Sequence, residues 1–174
     1  MLTMRLVAGE RRSGTYESLM TAPVTPGIVV SAKYAAALLF YVVLWLPAVG
    51  QLALLKAFDP MLALDVRVLA SGFGGALLAG AFALSVGLLC SACTRSPIVA
   101  AMASFVLLSI WFSLGFLPYM ARGEAVRQFG EAVSVVRHML DFSRGIIDTR
   151  PVVLYLSGAL LALFGAARIL EARS

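Results

Sequence analysis

Four long apolar runs dominate the pattern of hydrophobic and polar positions along this chain. They extend over residues 28–55, 68–93, 98–119 and 151–167, and Lys33 is the single charged residue inside them. An α-helix rises about 1.5 Å per residue, so crossing the roughly 30 Å of bilayer hydrocarbon takes about 20 apolar residues. Each run is therefore predicted to be a membrane-spanning helix.

Composition supports the same interpretation. Hydrophobic residues make up 61% of the 174 residues and charged residues only 13%, whereas a soluble domain carries about 25% charged residues. A mean hydropathy of +0.94 is more than the interior of so small a body can bury, because most of its surface faces outward. The predicted fold class is an all-α integral membrane protein, with residues 1–174 forming one membrane domain in contact with lipid.

The net charge of +5 does not indicate a nucleic-acid partner. The basic residues are scattered singly between apolar runs, and no basic cluster accompanies exposed aromatic residues. Cys90 and Cys93 form a lone CxxC, and the role of this pair stays open. His138 is the only histidine, so a metal site is not expected. With no nucleophile beside His138 and Asp141, we expect a solvated helical face and no catalytic site.

The second run is rich in small residues at helical spacing. Gly75, Ala79, Ala83 and Gly87 recur every four residues, with Gly72, Ala76 and Gly80 on a neighbouring ridge. Small residues four apart allow helix backbones to approach closely in lipid. The first set is therefore predicted to be a helix-packing interface, within the chain or between subunits.

Residues 122–150 separate the last two runs and are too charged to cross a membrane. Their apolar residues fall on one helical face: Val126, Phe129, Val133, Val136 and Leu140. Such a pattern is typical of an amphipathic helix that lies at the membrane interface or re-enters it shallowly. Gly145 is expected to end this helix.

The segment before the first run predicts another short helix, over residues 10–23. Ser13 can cap it, and Glu17 falls in its first turn, where a carboxylate favours the positive end of the helix dipole. Leu19 and Met20 contribute to a small apolar face, and Pro23 stops the helix. A short helix of this kind, held near the membrane, suits docking to a soluble partner.

Three motifs carry a resemblance to a known family. ERRSGTYESLMTAPVTPGIVVSAKYAAALLFYVVL, beginning at Glu10, resembles the first cytoplasmic loop and following span of type-2 ABC exporter permeases. It is most similar to the gliding-motility and nitrous-oxide-reductase accessory branch. Residues 89–102, LCSACTRSPIVAAM, and residues 138–157, HMLDFSRGIIDTRPVVLYLS, are similar to two later regions of the family. The first motif is matched by Glu10, Arg11, Arg12, Ser13, Gly14, Thr15, Glu17, Thr21, Ala22, Pro23 and Lys33.

The resemblance implies a division of labour between subunits. It implies that this chain is the permease, working as a dimer in the bacterial cytoplasmic membrane, while a separate cytoplasmic ABC ATPase binds ATP and magnesium. Residues 10–23 would be the coupling helix, and residues 122–150 would face outward, an orientation that counting basic residues leaves open. The implied ATPase-contact residues are Glu10, Arg11, Arg12, Ser13, Gly14, Thr15, Glu17, Leu19 and Met20.

Two features of the sequence qualify that expectation. The chain contains no GxxxxGK[S/T] phosphate loop, so it is expected to hold no nucleotide cofactor of its own. The family pattern has six spans, two of them before the coupling helix, whereas four runs are present here. The alternative is therefore a truncated or non-transporting membrane scaffold that binds an ATPase partner. The sequence does not identify a transported substrate.

Overall fold

The computed structural model describes residues 26–59, 65–94, 96–120 and 123–172. Within these ranges all regular elements are α-helices, and four of them are long and apolar enough to cross a membrane. The prediction of an all-α, multi-pass membrane protein is confirmed. The long helices are α1 (Pro26–Phe58), α2 (Val66–Cys93), α3 (Pro97–Leu114) and α7 (Thr149–Glu171). Between α3 and α7 lie α4 (Leu117–Met120), α5 (Glu124–Val133) and α6 (Val135–Ser143).

The third spanning helix is shorter than its apolar run. α3 ends at Leu114 and the chain turns at Gly115 before α4 begins, whereas the run predicts helix to residue 119. The carbonyl of Gly115 accepts a hydrogen bond from Ser134 Oγ at 3.3 Å. A side chain at Gly115 would lie only 3.1 Å from that hydroxyl. The close approach of a distant segment therefore sets where α3 stops.

α2 is the central helix of the bundle. It packs most extensively on α7 and also contacts α1, α3 and α6. Two tyrosine hydroxyls hold α1 against it, because Tyr34 donates to the Ala81 carbonyl at 3.1 Å and Tyr41 to the Ala76 carbonyl at 3.0 Å. The buried apolar cluster joins α1, α2 and α7, and consists of Val30, Leu88, Ala92, Ala166 and Leu170.

The outward faces of the long helices carry large apolar side chains. Leu39 on α1, Phe105 on α3 and Leu161 on α7 are each about 70% exposed, at 69%, 71% and 72%. In a lipid environment such faces need no cover, while the backbone polar groups are satisfied within each helix. Such faces suit contact with lipid.

The segment between α3 and α7 is two short helices, where the sequence pattern predicts one. The break falls at Ser134, whose hydroxyl caps α6 by accepting from the Arg137 N–H at 3.3 Å. α6 then ends in a Schellman arrangement, in which the Ile146 N–H reaches the Asp141 carbonyl at 3.0 Å. Gly145 has a φ of +79° there, a conformation that glycine adopts without the steric cost of a Cβ.

Candidate functional site

The short helix α6 is anchored on the central spanning helix through Phe142. This side chain is only 2% exposed and lies over Gly75 of α2, where a Cβ would overlap the phenylalanine ring. The hydroxyl of Ser71, one turn away on α2, donates to the Phe142 carbonyl at 2.6 Å. Side-chain packing and a backbone hydrogen bond thus fix the end of α6 to α2.

A second anchor joins α6 to the last span. The His138 side chain is 5% exposed, and its Nδ1 lies 3.3 Å from the hydroxyl of Tyr155, a residue of α7 that is 1% exposed. The two rings meet edge to face, with centroids 5.7 Å apart. The expectation of a solvated face for His138 is therefore wrong, because α7 supplies a buried partner for the imidazole.

Burial controls the ionisation of this imidazole. Removing the ring from water lowers the pKa of His138 below its ordinary value of 6.5, since the charged form loses its hydration. The carboxylates of Asp141 and Asp148 act in the opposite direction, and the Arg137 guanidinium adds to the lowering. The net effect favours a neutral imidazole at the junction of α6 and α7.

A charged cleft of about 390 Å³ opens beside His138, between α5, α6 and the start of α7. Arg137 pairs with Glu131 across the break between the two short helices, and Arg127 lies 3.8 Å from the same carboxylate. Such a pocket can hold water and small polar ligands at one end of the bundle. Its lining consists of Gln128, Glu131, Ala132, Arg137, His138, Asp141, Asp148, Arg150 and Pro151.

A row of aromatic rings leads from this cleft into the bundle. Phe82 of α2 lies 6.0 Å from Tyr155 and 5.0 Å from Trp111 of α3, measured between ring centroids. Gly158 makes room for Phe82, because a Cβ there would come within 2.7 Å of the ring. The Trp111 Nε1 is buried without a hydrogen-bond partner among the residues that the structure describes. The row connects α7, α2 and α3 at one level.

The small-residue set on α2 is placed in several environments. Gly75 lies under Phe142 and is buried, as is Gly87, whereas Ala79 and Ala83 are half-buried. On the neighbouring ridge, Gly80 lies against the Tyr41 ring of α1. Gly75 and Gly80 thus meet aromatic side chains of neighbouring helices.

The other candidate residues are placed as follows. The predicted ATPase-contact set from Glu10 to Met20 lies outside the described residues. Cys90 is buried and Cys93 exposed, and neither forms a disulfide bond. No group of three or more metal-ligating side chains occurs in the described ranges.

The junction residues His138, Phe142 and Tyr155 were missed because each finds its partner on another helix. A signal was present in the spacing of His138 and Phe142, four residues apart and hence on one helical face. Comparisons with protein-family models, with curated proteins and with solved structures give no match to this chain. What the molecule does is therefore inferred from its own sequence and geometry.

Proposed function

We propose that this chain is the membrane-spanning subunit of an ATP-binding cassette exporter, powered by a separate cytoplasmic ATPase. The observation that carries the proposal is the order of segments along the chain. A motif resembling a coupling helix at residues 10–23 stands directly before α1, and four helices able to cross the membrane follow it. In this arrangement a docked ATPase acts on the bundle at the start of α1.

The contacts of α1 offer a route for that action. Tyr34 and Tyr41 tie α1 to the central helix α2 by hydrogen bonds to its backbone. α2 in turn carries Ser71 and Gly75, on which Phe142 of α6 rests. A displacement of α1 by the ATPase would therefore reach the charged cleft through α2 and α6. The proposal places this cleft on the outer side of the bacterial cytoplasmic membrane.

The distribution of charge also favours an external energy source. The interiors of α2, α3 and α7 contain no acidic or basic residue away from their ends. Carriers driven by protons or ions usually hold ionisable groups within the membrane, because these groups bind the coupling ion. The absence of a phosphate-binding loop in the sequence means that ATP would be used by the partner. The exposed apolar faces of α1 and α3 would serve a second permease copy as well as lipid.

Reversing two charges in the coupling segment tests the proposal. Arg11→Glu combined with Arg12→Glu is expected to lower the amount of ATPase that co-purifies with the tagged chain about tenfold, because each change replaces attraction with repulsion at the interface. The ATPase is quantified by photolabelling of the eluate with an azido-ATP analogue. Arg144→Glu combined with Arg150→Glu carries the same change in charge on the opposite side of the membrane and is expected to leave association unchanged.

Two results of this experiment would change the conclusion. Equal ATPase recovery with the Arg11 and Arg12 changes would show that residues 10–23 are not the contact. Normal ATPase recovery from the unmodified chain, with a turnover rate that the chain does not alter, would favour the non-transporting scaffold.

A further inference from the structure

An apolar groove of about 320 Å³ lies between α1 and α2, near the end where α2 begins. Trp45 and Leu52 line it from α1, Leu69, Gly72 and Phe73 from α2, and Ser143 of α6 closes its end. Trp45 and Leu52 are seven residues apart, so the groove follows α1 for about 10 Å. Its walls lie in two membrane-spanning helices, and its length runs along them.

The groove is open because a small residue forms its floor. Among the residues that the structure describes, no atom would lie within 4 Å of a Cβ at Gly72, whereas Gly80, two turns along α2, is covered by Tyr41. Trp45 stands edge to face against Phe73, with centroids 5.5 Å apart. The aromatic pair therefore joins the two helices in the wall of the groove.

Basic residues adjoin the lining residues of the groove along the chain. Arg67 directly precedes the lining residue Val68, and Arg144 directly follows the lining residue Ser143. Both arginines are exposed. Lys56 lies one turn beyond Leu52 on the same face of α1. Among the residues that the structure describes, neither arginine has an ion-pair partner. The nearby Asp65 carboxylate caps α2 by accepting from the Arg67 N–H at 2.9 Å.

We infer that this groove binds an anionic phospholipid of the surrounding bilayer. One acyl chain lies along Gly72 between α1 and α2, and the headgroup phosphate meets the guanidiniums of Arg67 and Arg144. Guanidinium groups match phosphate oxygens with two parallel hydrogen bonds, and basic residues at the membrane surface select anionic lipids. An apolar groove adjoined by basic residues is complementary to such a lipid in both polarity and charge.

Quenching of tryptophan fluorescence by brominated lipids tests the site. The chain has two tryptophans, so Trp111→Phe leaves Trp45 in the groove as the single reporter. In mixed micelles, brominated phosphatidylglycerol is expected to quench Trp45 at about a tenfold lower concentration than brominated phosphatidylcholine, because two arginines contribute to headgroup binding. Arg67→Gln combined with Arg144→Gln is expected to abolish this preference while quenching itself persists.

Filling the groove tests the contribution of the acyl chain to binding separately from that of the headgroup. Gly72→Leu places its side chain where no atom of the described residues lies. It is expected to reduce quenching by both lipids at least threefold, since the acyl chain is excluded from the groove. Gly74→Leu is the matched control, because Gly74 is equally open but does not line the groove. Leu69→Phe narrows the same groove and provides a second filling variant if Gly72→Leu does not fold.

Either of two results would overturn the inference. Equal quenching by the two brominated lipids in the Trp111→Phe chain would show that the site does not select an anionic headgroup. Undiminished quenching in both filling variants would show that the acyl chain does not lie in the groove. The measurement uses the chain without an ATPase, so a negative result would leave the proposed transport function untouched. A negative result in the ATPase co-purification would likewise leave the lipid site untouched.

Discussion

At the scale of single residues, the glycines of α2 show what a periodic pattern can and cannot reveal. Spacing marks Gly72 and Gly75 alike as positions of close helix approach. In the fold Gly75 lies under the ring of Phe142, while no atom of the described ranges would meet a Cβ at Gly72. The difference depends on a side chain 67 positions further along the chain, counted from 75 to 142, and no local pattern contains that information.

The two glycines should respond differently to one methyl group. Gly75→Ala is expected to destabilise the protein by about 1–3 kcal/mol, because the methyl overlaps Phe142 and forces the ring to shift. Gly72→Ala is expected to be neutral or stabilising by up to about 1 kcal/mol, because alanine favours helix and no described residue would clash with the methyl group. Thermal unfolding in detergent compares the two variants. Equal effects of the two substitutions on thermal stability would contradict the packing of Phe142 against Gly75.

At the scale of elements, the segment between α3 and α7 departs most from its sequence pattern. Val126, Phe129 and Leu140 belong to the predicted apolar face but remain exposed, at 46%, 58% and 49%. The buried face of α6 instead carries His138 and Phe142. The sequence predicted the helical character of this segment, because helical periodicity is local. It could not predict the break at Ser134 or the buried face, because Gly115, α2 and α7 determine them.

The junction of α6 with α7 should make stability depend on pH. Because burial lowers the pKa of His138, the unfolded chain takes up a proton at a higher pH than the folded chain. The stabilisation from the neutral imidazole is therefore complete above about pH 6.5 and is lost as the pH falls towards the folded-state pKa. The midpoint of thermal unfolding in detergent, followed from about pH 8 down to about pH 5, measures this loss.

A matched variant assigns that pH dependence to one group. His138→Gln keeps a side chain able to hydrogen bond with Tyr155 but cannot titrate. It is expected to flatten the loss of stability between about pH 6.5 and about pH 5. The same decline with glutamine in place would show that another group is responsible.

At the scale of the whole molecule, the length and polarity of the apolar runs were enough to predict the membrane class and the four spans. The physical reason is that a bilayer fixes the length of any helix that crosses it. The arrangement of the helices was not predictable in this way. That α2 is central and that α1 contacts it through Tyr34 and Tyr41 follows from side-chain packing. The charged cleft likewise forms only when α5, α6 and α7 meet.

At this scale, a series of neighbouring segments connects the proposed function with the fold. The candidate coupling segment precedes α1, α1 is tied to α2, and α2 supports the helix that borders the cleft. The first step is adjacency in sequence, and the two later steps are contacts between neighbouring helices. Movement along this series would begin with an ATPase bound to the coupling segment.

The most direct test of that claim is recovery of the tagged chain from detergent-solubilised host membranes, with identification of its partners by mass spectrometry. An exporter subunit is expected to recover a stoichiometric soluble subunit that carries a GxxxxGK[S/T] phosphate loop. A chain that is stable in those membranes but recovers no nucleotide-binding subunit would contradict the exporter assignment.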